Sequence, residues 1–191
     1  MQKSKKQVGI LLAMLIVPAF FFILFQASFK NYYKLPYLSK EEESKPHQIE
    51  TIALQNNLQL PQKQIFWVVG YDPNQNNLSD SLFNNFARLN RKEDIKKLLE
   101  LKLKNFQIKY LLLGKEIKHN EKDVFILPPS PKAKDLLLEN SGEIVLIDEE
   151  GFVRGKYTLL NKNNFLDDEE LERLVTEIKV LIEIVANPKK K

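Results

Sequence analysis

The chain has 191 residues, no cysteine, two histidines and a formal net charge of +4. That length holds one ordinary domain with short extras, and the missing cysteine excludes disulfides, thiol catalysis and thiolate metal sites together. The charge does not argue for nucleic acid: Lys3, Lys5, Lys6 and Lys189 to Lys191 exceed it by themselves, and no basic stripe interleaved with aromatics is present elsewhere.

The first element follows from hydropathy. Val8 to Phe25 contains no charged residue and is interrupted only by Gly9 and Pro18. It is roughly as long as a bilayer's hydrocarbon core requires. A cleaved signal peptide is the rival reading, but its apolar region is normally shorter and ends in small residues, whereas this run leaves through "FFFILFQASFK". Residues 1–29 are therefore expected to form an uncleaved, single-pass transmembrane anchor with a short cytoplasmic basic end, leaving the rest of the chain extracytoplasmic. Residues 30–46 read as a stalk, because "NYYKLPYLSKEEESKP" carries two prolines and clustered charges without apolar periodicity. Tyr32, Tyr33 and Tyr37 suit the membrane interface.

A domain over 47–188 follows, with 189–191 as a basic tail. In "HQIETIALQNN" the partial alternation of Ile49, Ile52 and Leu54 predicts a short edge strand or hairpin. "IFWVVG", Ile65 to Gly70, predicts a central strand buried on both faces. Asp72 to Asn77 breaks it, and Ser79 or Asp80 is placed to cap a helix with the face Leu82, Phe83, Phe86 and Leu89. Ile95, Leu98, Leu99 and Leu103 continue the helical pattern after "NRKED", as one broken helix or two short ones. "FQIKYLLLG" and "DVFILPP" predict a second and third strand, and "KAKDLLLEN" a short helix. "EIVLIDEEGFVRGKYTLL" predicts a hairpin, Ile144 to Asp148 and Phe152 to Leu159, with Gly151 supplying positive φ in the turn. A helix from about Asp168 to Val185 closes the chain, started by the capping pattern of Asp167 and Glu170, with Leu171, Leu174, Val175, Ile178, Leu181, Ile182 and Val185 on one face. This order predicts an α/β sandwich around a mixed sheet.

Few side chains offer chemistry. His47 and His119 stand outside any ligand-spaced cluster, and the only methionines, Met1 and Met14, lie at the start and in the apolar run, so no metal or cofactor is expected. Ser79, Ser81, Ser130 and Ser141 lack a nucleophile elbow. Glu149 and Glu150 occupy a turn, where solvated charge is the simpler account. No phosphate-cradling loop is found among the six glycines. The loop after the first strand, with Tyr71 and Asp72 beside Trp67, remains as a candidate docking surface, although core packing is the simpler role for Trp67.

"IVLIDEEGFVRGKY", with Asp148, Gly151, Val153, Arg154, Gly155 and Tyr157, followed by the amphipathic "LERLVTEIKVLIE", resembles the C-terminal part of the SCO/SenC family. Those proteins are membrane-anchored thioredoxin-like domains that deliver copper during cytochrome oxidase assembly. "HQIETIALQNN", through His47, Ile49, Ile52, Leu54 and Asn56, is similar to the segment preceding that family's first core strand, and the anchor and "LPYL" stalk also fit. The resemblance covers the ends of the domain well and its middle poorly. Family members bind copper through C-x-x-x-C-P after the first core strand and a histidine just before the final hairpin. Counted from the strands, the two cysteines fall near Asn74 and Leu78, and the histidine falls on Asn140.

The resemblance therefore implies a thioredoxin-like scaffold without catalytic or metal residues. Its vestigial active loop, Trp67, Tyr71, Asp72, Asn74 and Asn140, would bind a protein partner. The expected function is non-catalytic assistance to cytochrome oxidase or envelope protein assembly. A structural or peptide-binding envelope protein unrelated to copper is the alternative. A peroxiredoxin-like enzyme is disfavoured because it needs a peroxidatic cysteine.

Overall fold

The computed structural model describes residues 48–57, 64–74, 78–117, 121–158 and 167–187, together with Met14, Ile16, Val17, Pro18 and Phe21. Those five N-terminal residues are helical and exposed. The rest of the expected anchor, the stalk, His47, His119, Leu159 and Pro188 lie outside the described residues. Among the described residues no helix is long and apolar enough to cross a membrane.

The remaining described residues belong to a unit within Leu35–Pro188 and build an α/β domain around one five-stranded mixed sheet. In chain order the elements are α1 (Gln48–Gln55), β1 (Gln64–Tyr71), α2 (Leu78–Asn90), α3 (Glu93–Lys102), β2 (Phe106–Leu113), β3 (Val124–Leu127), a 3-10 turn (Pro131–Leu136), β4 (Glu143–Ile147), β5 (Val153–Thr158) and α4 (Asp168–Ala186). The sheet order is β3-β2-β1-β4-β5. β1, β2 and β3 are mutually parallel, whereas β4 runs antiparallel to β1 and to β5. The expected final hairpin thus lies beside the strand carrying Phe66 and Val68, with Trp67 opposite Ile147.

Strand alternation divides the core in two. Phe66 and Val68 of β1, Tyr110 and Leu112 of β2, and Ile144 and Leu146 of β4 pack with the apolar faces of α2, α3 and α4. Trp67 and Val69, Leu111 and Leu113, and Val145 and Ile147 face the other way, onto Ile49 and Ile52 of α1 and Ala133 and Leu136 of the 3-10 turn. Burial on both faces explains why the central strands are continuous apolar runs. α4 alone buries Leu171, Leu174, Val175, Ile178, Leu181 and Ile182. At about 2 kcal/mol per buried side chain, this represents on the order of 10 kcal/mol of apolar transfer, an upper bound set by the extended-chain reference. Its start is fixed by Asp167, whose carboxylate accepts from the backbone N–H groups of Glu169 and Glu170.

Two expectations are corrected. The segment read as an edge strand is the helix α1: Ile49, Ile52 and Ala53 are buried at i, i+3 and i+4, while Leu54, which suggested alternation, is 73% exposed. Ser79 and Asp80 lie inside α2, which already includes Leu78, so neither stands before the helix as a cap. The pattern after "NRKED" resolves into the second of two helices, with Ile95 buried and Leu98, Leu99 and Leu103 partly buried against the first core.

The hairpin motif is explained by its own hydrogen bonds. One carboxylate oxygen of Asp148 accepts from the N–H groups of Glu150 (3.0 Å) and Phe152 (2.8 Å), and the other pairs with Arg154 Nε at 2.5 Å. Gly151 takes φ 86°, a left-handed value that favours glycine in the turn. Gly155 leaves room for the Tyr157 ring folded over it: a Cβ there would lie 2.0 Å from the tyrosine hydroxyl, which donates to Glu177.

Candidate functional site

Because β1, β2 and β3 are parallel, their carboxyl ends meet at one end of the sheet, where the start of antiparallel β4 joins them. Backbone bonds seal this end: Asp72 N–H donates to the Leu113 carbonyl (2.9 Å), Gly142 N–H to the Tyr71 carbonyl (2.8 Å) and Gly114 N–H to the Leu127 carbonyl (2.9 Å). Open α/β sheets commonly place their binding crevices at such carboxyl ends.

Asp72 is fully buried there. Its Oδ2 accepts from Ser79 Oγ at 2.6 Å and its Oδ1 from Ser141 Oγ at 3.1 Å, so each carboxylate oxygen has a hydroxyl donor. Ser79 in turn accepts from the Lys115 N–H (3.1 Å). Asn74 Nδ2 donates to Ser141 Oγ (3.3 Å), tying the loop after β1 to the turn before β4. Gly114 is required by this arrangement, since a Cβ would stand 2.7 Å from Ser79 Oγ. Placement of Ser79 in the first turn of α2 also sets the Asp72 charge toward the positive end of the helix dipole.

A second carboxylate organises the other side of the cluster. Glu143, at the start of β4, accepts from the N–H groups of Glu139 (2.7 Å) and Asn140 (3.0 Å) through Oε2. Its Oε1 accepts from Asn140 Nδ2 (2.9 Å) and pairs with Lys156 Nζ (3.0 Å). Burial pushes its pKa up, but these hydrogen bonds and the Lys156 charge outweigh burial and hold the carboxyl below the usual glutamate value.

The five residues singled out from sequence therefore separate. Asp72, Asn74 and Asn140 come to the same end of the sheet, with Asn74 and Asn140 exposed and Asp72 beneath them. Trp67 is 6% exposed in the second core, its ring 6.1 Å from that of Phe125, and Tyr71 packs at the margin of that core. Alternation along β1 is the reason: positions 67 and 71 share one face and Asp72 points to the other. Ser79, Ser141, Glu143, Lys156 and Gly114 complete the cluster and were not identified from sequence as parts of it. Only the glycine after the apolar run "YLLL" gave a local signal.

The cluster is a network of hydrogen bonds between hydroxyl, amide and carboxylate groups. The Ser79 hydroxyl is committed to Asp72 in a residue 1% exposed, so it is not presented to a substrate. Among the described residues no group of three or more histidine, cysteine, aspartate or glutamate side chains could hold a metal ion. Compared with models of known protein families the chain matches none, and no curated protein sequence matches it.

Proposed function

We propose that the chain is a membrane-anchored, extracytoplasmic, thioredoxin-like protein of SCO/SenC type that lacks copper and thiol ligands and assists cytochrome oxidase assembly through protein contacts. The observation that carries this reading is the convergence of the loop after β1 with the turn before β4. Asn74 bonds to Ser141, next to Asn140, so the two positions that the resemblance assigns to copper ligands share one rim. The sheet order supports it. So does the placement of α2 and α4 on one face of the sheet, with the 3-10 turn before β4 on the other. Anchoring is supported by the charge-free run from Val8 to Phe25. On this reading the rim offers a partner two exposed amides held on a rigid, buried carboxylate base, an arrangement for recognition by hydrogen bonding.

Deleting the coding sequence tests the role. Assembled oxidase, measured as the haem difference spectrum of isolated membranes, should fall and be restored by the wild-type chain. It should not be restored by an Asn74→Lys, Asn140→Lys variant, in which both amides are replaced by charge. An unchanged oxidase level in the deletion strain refutes the assembly role and leaves the structural-protein alternative.

A further inference from the structure

A concave site lies away from the polar rim, at the corner where α2 gives way to α3. It is a cleft of about 160 Å³ between that corner, β2 and the turn leading into β3. Leu89, Ile95 and Ile108 contribute its apolar lining. Lys92, Lys96 and Lys122 stand around it. Of the acidic side chains there, Glu121 pairs with Arg91 at 2.7 Å and also lies in the field of Lys96, and Asp123, part of the lining, pairs with Lys109. None of the three lysines forms an ion pair with a described residue.

Tyr110 supplies the independent observation. It is 1% exposed, its ring lies 5.5 Å from that of Phe86, and it forms part of the cleft wall. Its hydroxyl makes no hydrogen bond with the described residues, yet it is not sealed away among fully buried unpaired atoms. The open space that Tyr110 lines is the cleft. A buried phenol is normally hydrogen-bonded, and this one, unpaired among the described residues, belongs to a side chain that lines the cleft. Burial and the neighbouring Asp123 charge both raise its pKa, which keeps the hydroxyl protonated as a donor.

We propose that this cleft binds a small organic monoanion, a carboxylate carried on an apolar body about the size of one aromatic ring. The volume sets the body, since an apolar cavity of about 150 Å³ accommodates benzene. The lysines and the Tyr110 hydroxyl set the head group: ammonium groups neutralise it, and the phenol donates a charge-assisted hydrogen bond from below. Inorganic phosphate would satisfy the charges but leave the apolar lining uncovered. The site is separate from the rim of Asn74 and Asn140, so this inference does not depend on the oxidase reading.

Benzoate titrated into the full chain in zwitterionic nanodiscs, followed by calorimetry at low salt, is the test. One-site binding is expected with a Kd of about 1 mM or tighter, reasonable for so small a ligand. Benzamide, which keeps the ring but not the charge, should bind at least about tenfold more weakly, and Tyr110→Phe should weaken benzoate by about tenfold. The surface double variant Lys92→Gln, Lys96→Gln should weaken benzoate and flatten its salt dependence, whereas Lys104→Gln should change nothing. Unchanged Trp67 fluorescence verifies that each variant is folded. The proposal is overturned if benzoate shows no saturable binding, if benzamide binds equally well, if neither Tyr110→Phe nor the lysine pair alters the affinity, or if inorganic phosphate binds as tightly as benzoate.

Discussion

Replacing Asp148 with asparagine should cost far more stability than any exchange at a surface ion pair of this domain. Asp148 is 2% exposed and Arg154 9%, and their contact at 2.5 Å lies where β4 turns into β5. In Asp148→Asn the remaining oxygen can still accept from Glu150 and Phe152 N–H, but an amide NH₂ then faces the guanidinium, and the Asp148 charge is lost from the buried pair. Breaking one side of a buried pair typically costs about 3–5 kcal/mol, whereas an exposed pair contributes about 0–1 kcal/mol. Arg154→Met alone strands the carboxylate and should cost a similar amount. The double variant removes both charges of the pair and should lie about 2 kcal/mol above the sum of the singles in stability. Equilibrium urea unfolding reads this directly through Trp67, the single tryptophan, which is buried opposite Ile147 and next to the turn. If Asp148→Asn changes stability by less than about 1 kcal/mol, or if the singles add without coupling, the pair behaves as a solvated one. The account of Asp148 and Arg154 as a buried lock on the turn would then be wrong.

Gly155→Ala should destabilise by about 1–3 kcal/mol, because the new Cβ would sit 2.0 Å from the Tyr157 hydroxyl and force that ring away from Glu177; the same unfolding assay measures it. Glu143 predicts an acid dependence. Its folded pKa lies below its unfolded value, so its contribution is full above about pH 4.3 and is lost as the pH falls through the folded value; Glu143→Gln should flatten the decline in stability across that window. Changing Asn74 and Leu78 to cysteine and Asn140 to histidine should create stoichiometric copper(I) binding if the rim has the proposed ancestry, and no more than weak surface binding should occur in the wild type; strong binding by the wild type would contradict the ligand-free reading. Carbonate-washed membranes should retain the full-length chain, and a mature N-terminus beyond Phe25 would show that the apolar run is a cleaved signal.

What could be read from the sequence was whatever is encoded locally. β1 announced itself by six consecutive residues with no charge from Ile65 to Gly70, the hairpin by Gly151 between two apolar runs, and α4 by a face repeated over several turns. α1 was misread because in eight residues the helical and strand periods are poorly separated, and the small buried Ala53 carried less weight than the exposed Leu54. The candidate site was legible only in part, for a different reason. Asp72 and Asn74 are two residues apart in sequence, but their partner Ser141 lies 69 and 67 residues away, and nothing near it declares the contact. That pairing is a product of the β1–β4 register, which is set by the whole sheet rather than by either segment.

The position of β1 in the sheet also dictates when the molecule can become complete. β1 has one neighbour, β2, which follows it after two helices, and another, β4, which begins only at Glu143. While the chain is being synthesised, an apolar strand flanked on one side by its finished partner waits with its other hydrogen-bonding edge open. It waits until the last third of the polypeptide arrives. Such an edge invites pairing with any passing strand, and closure across so long a separation is slow. Truncations ending before Glu143 should therefore be sticky intermediates rather than small stable domains. The hairpin acts as the cap that withdraws the central strand from the surroundings.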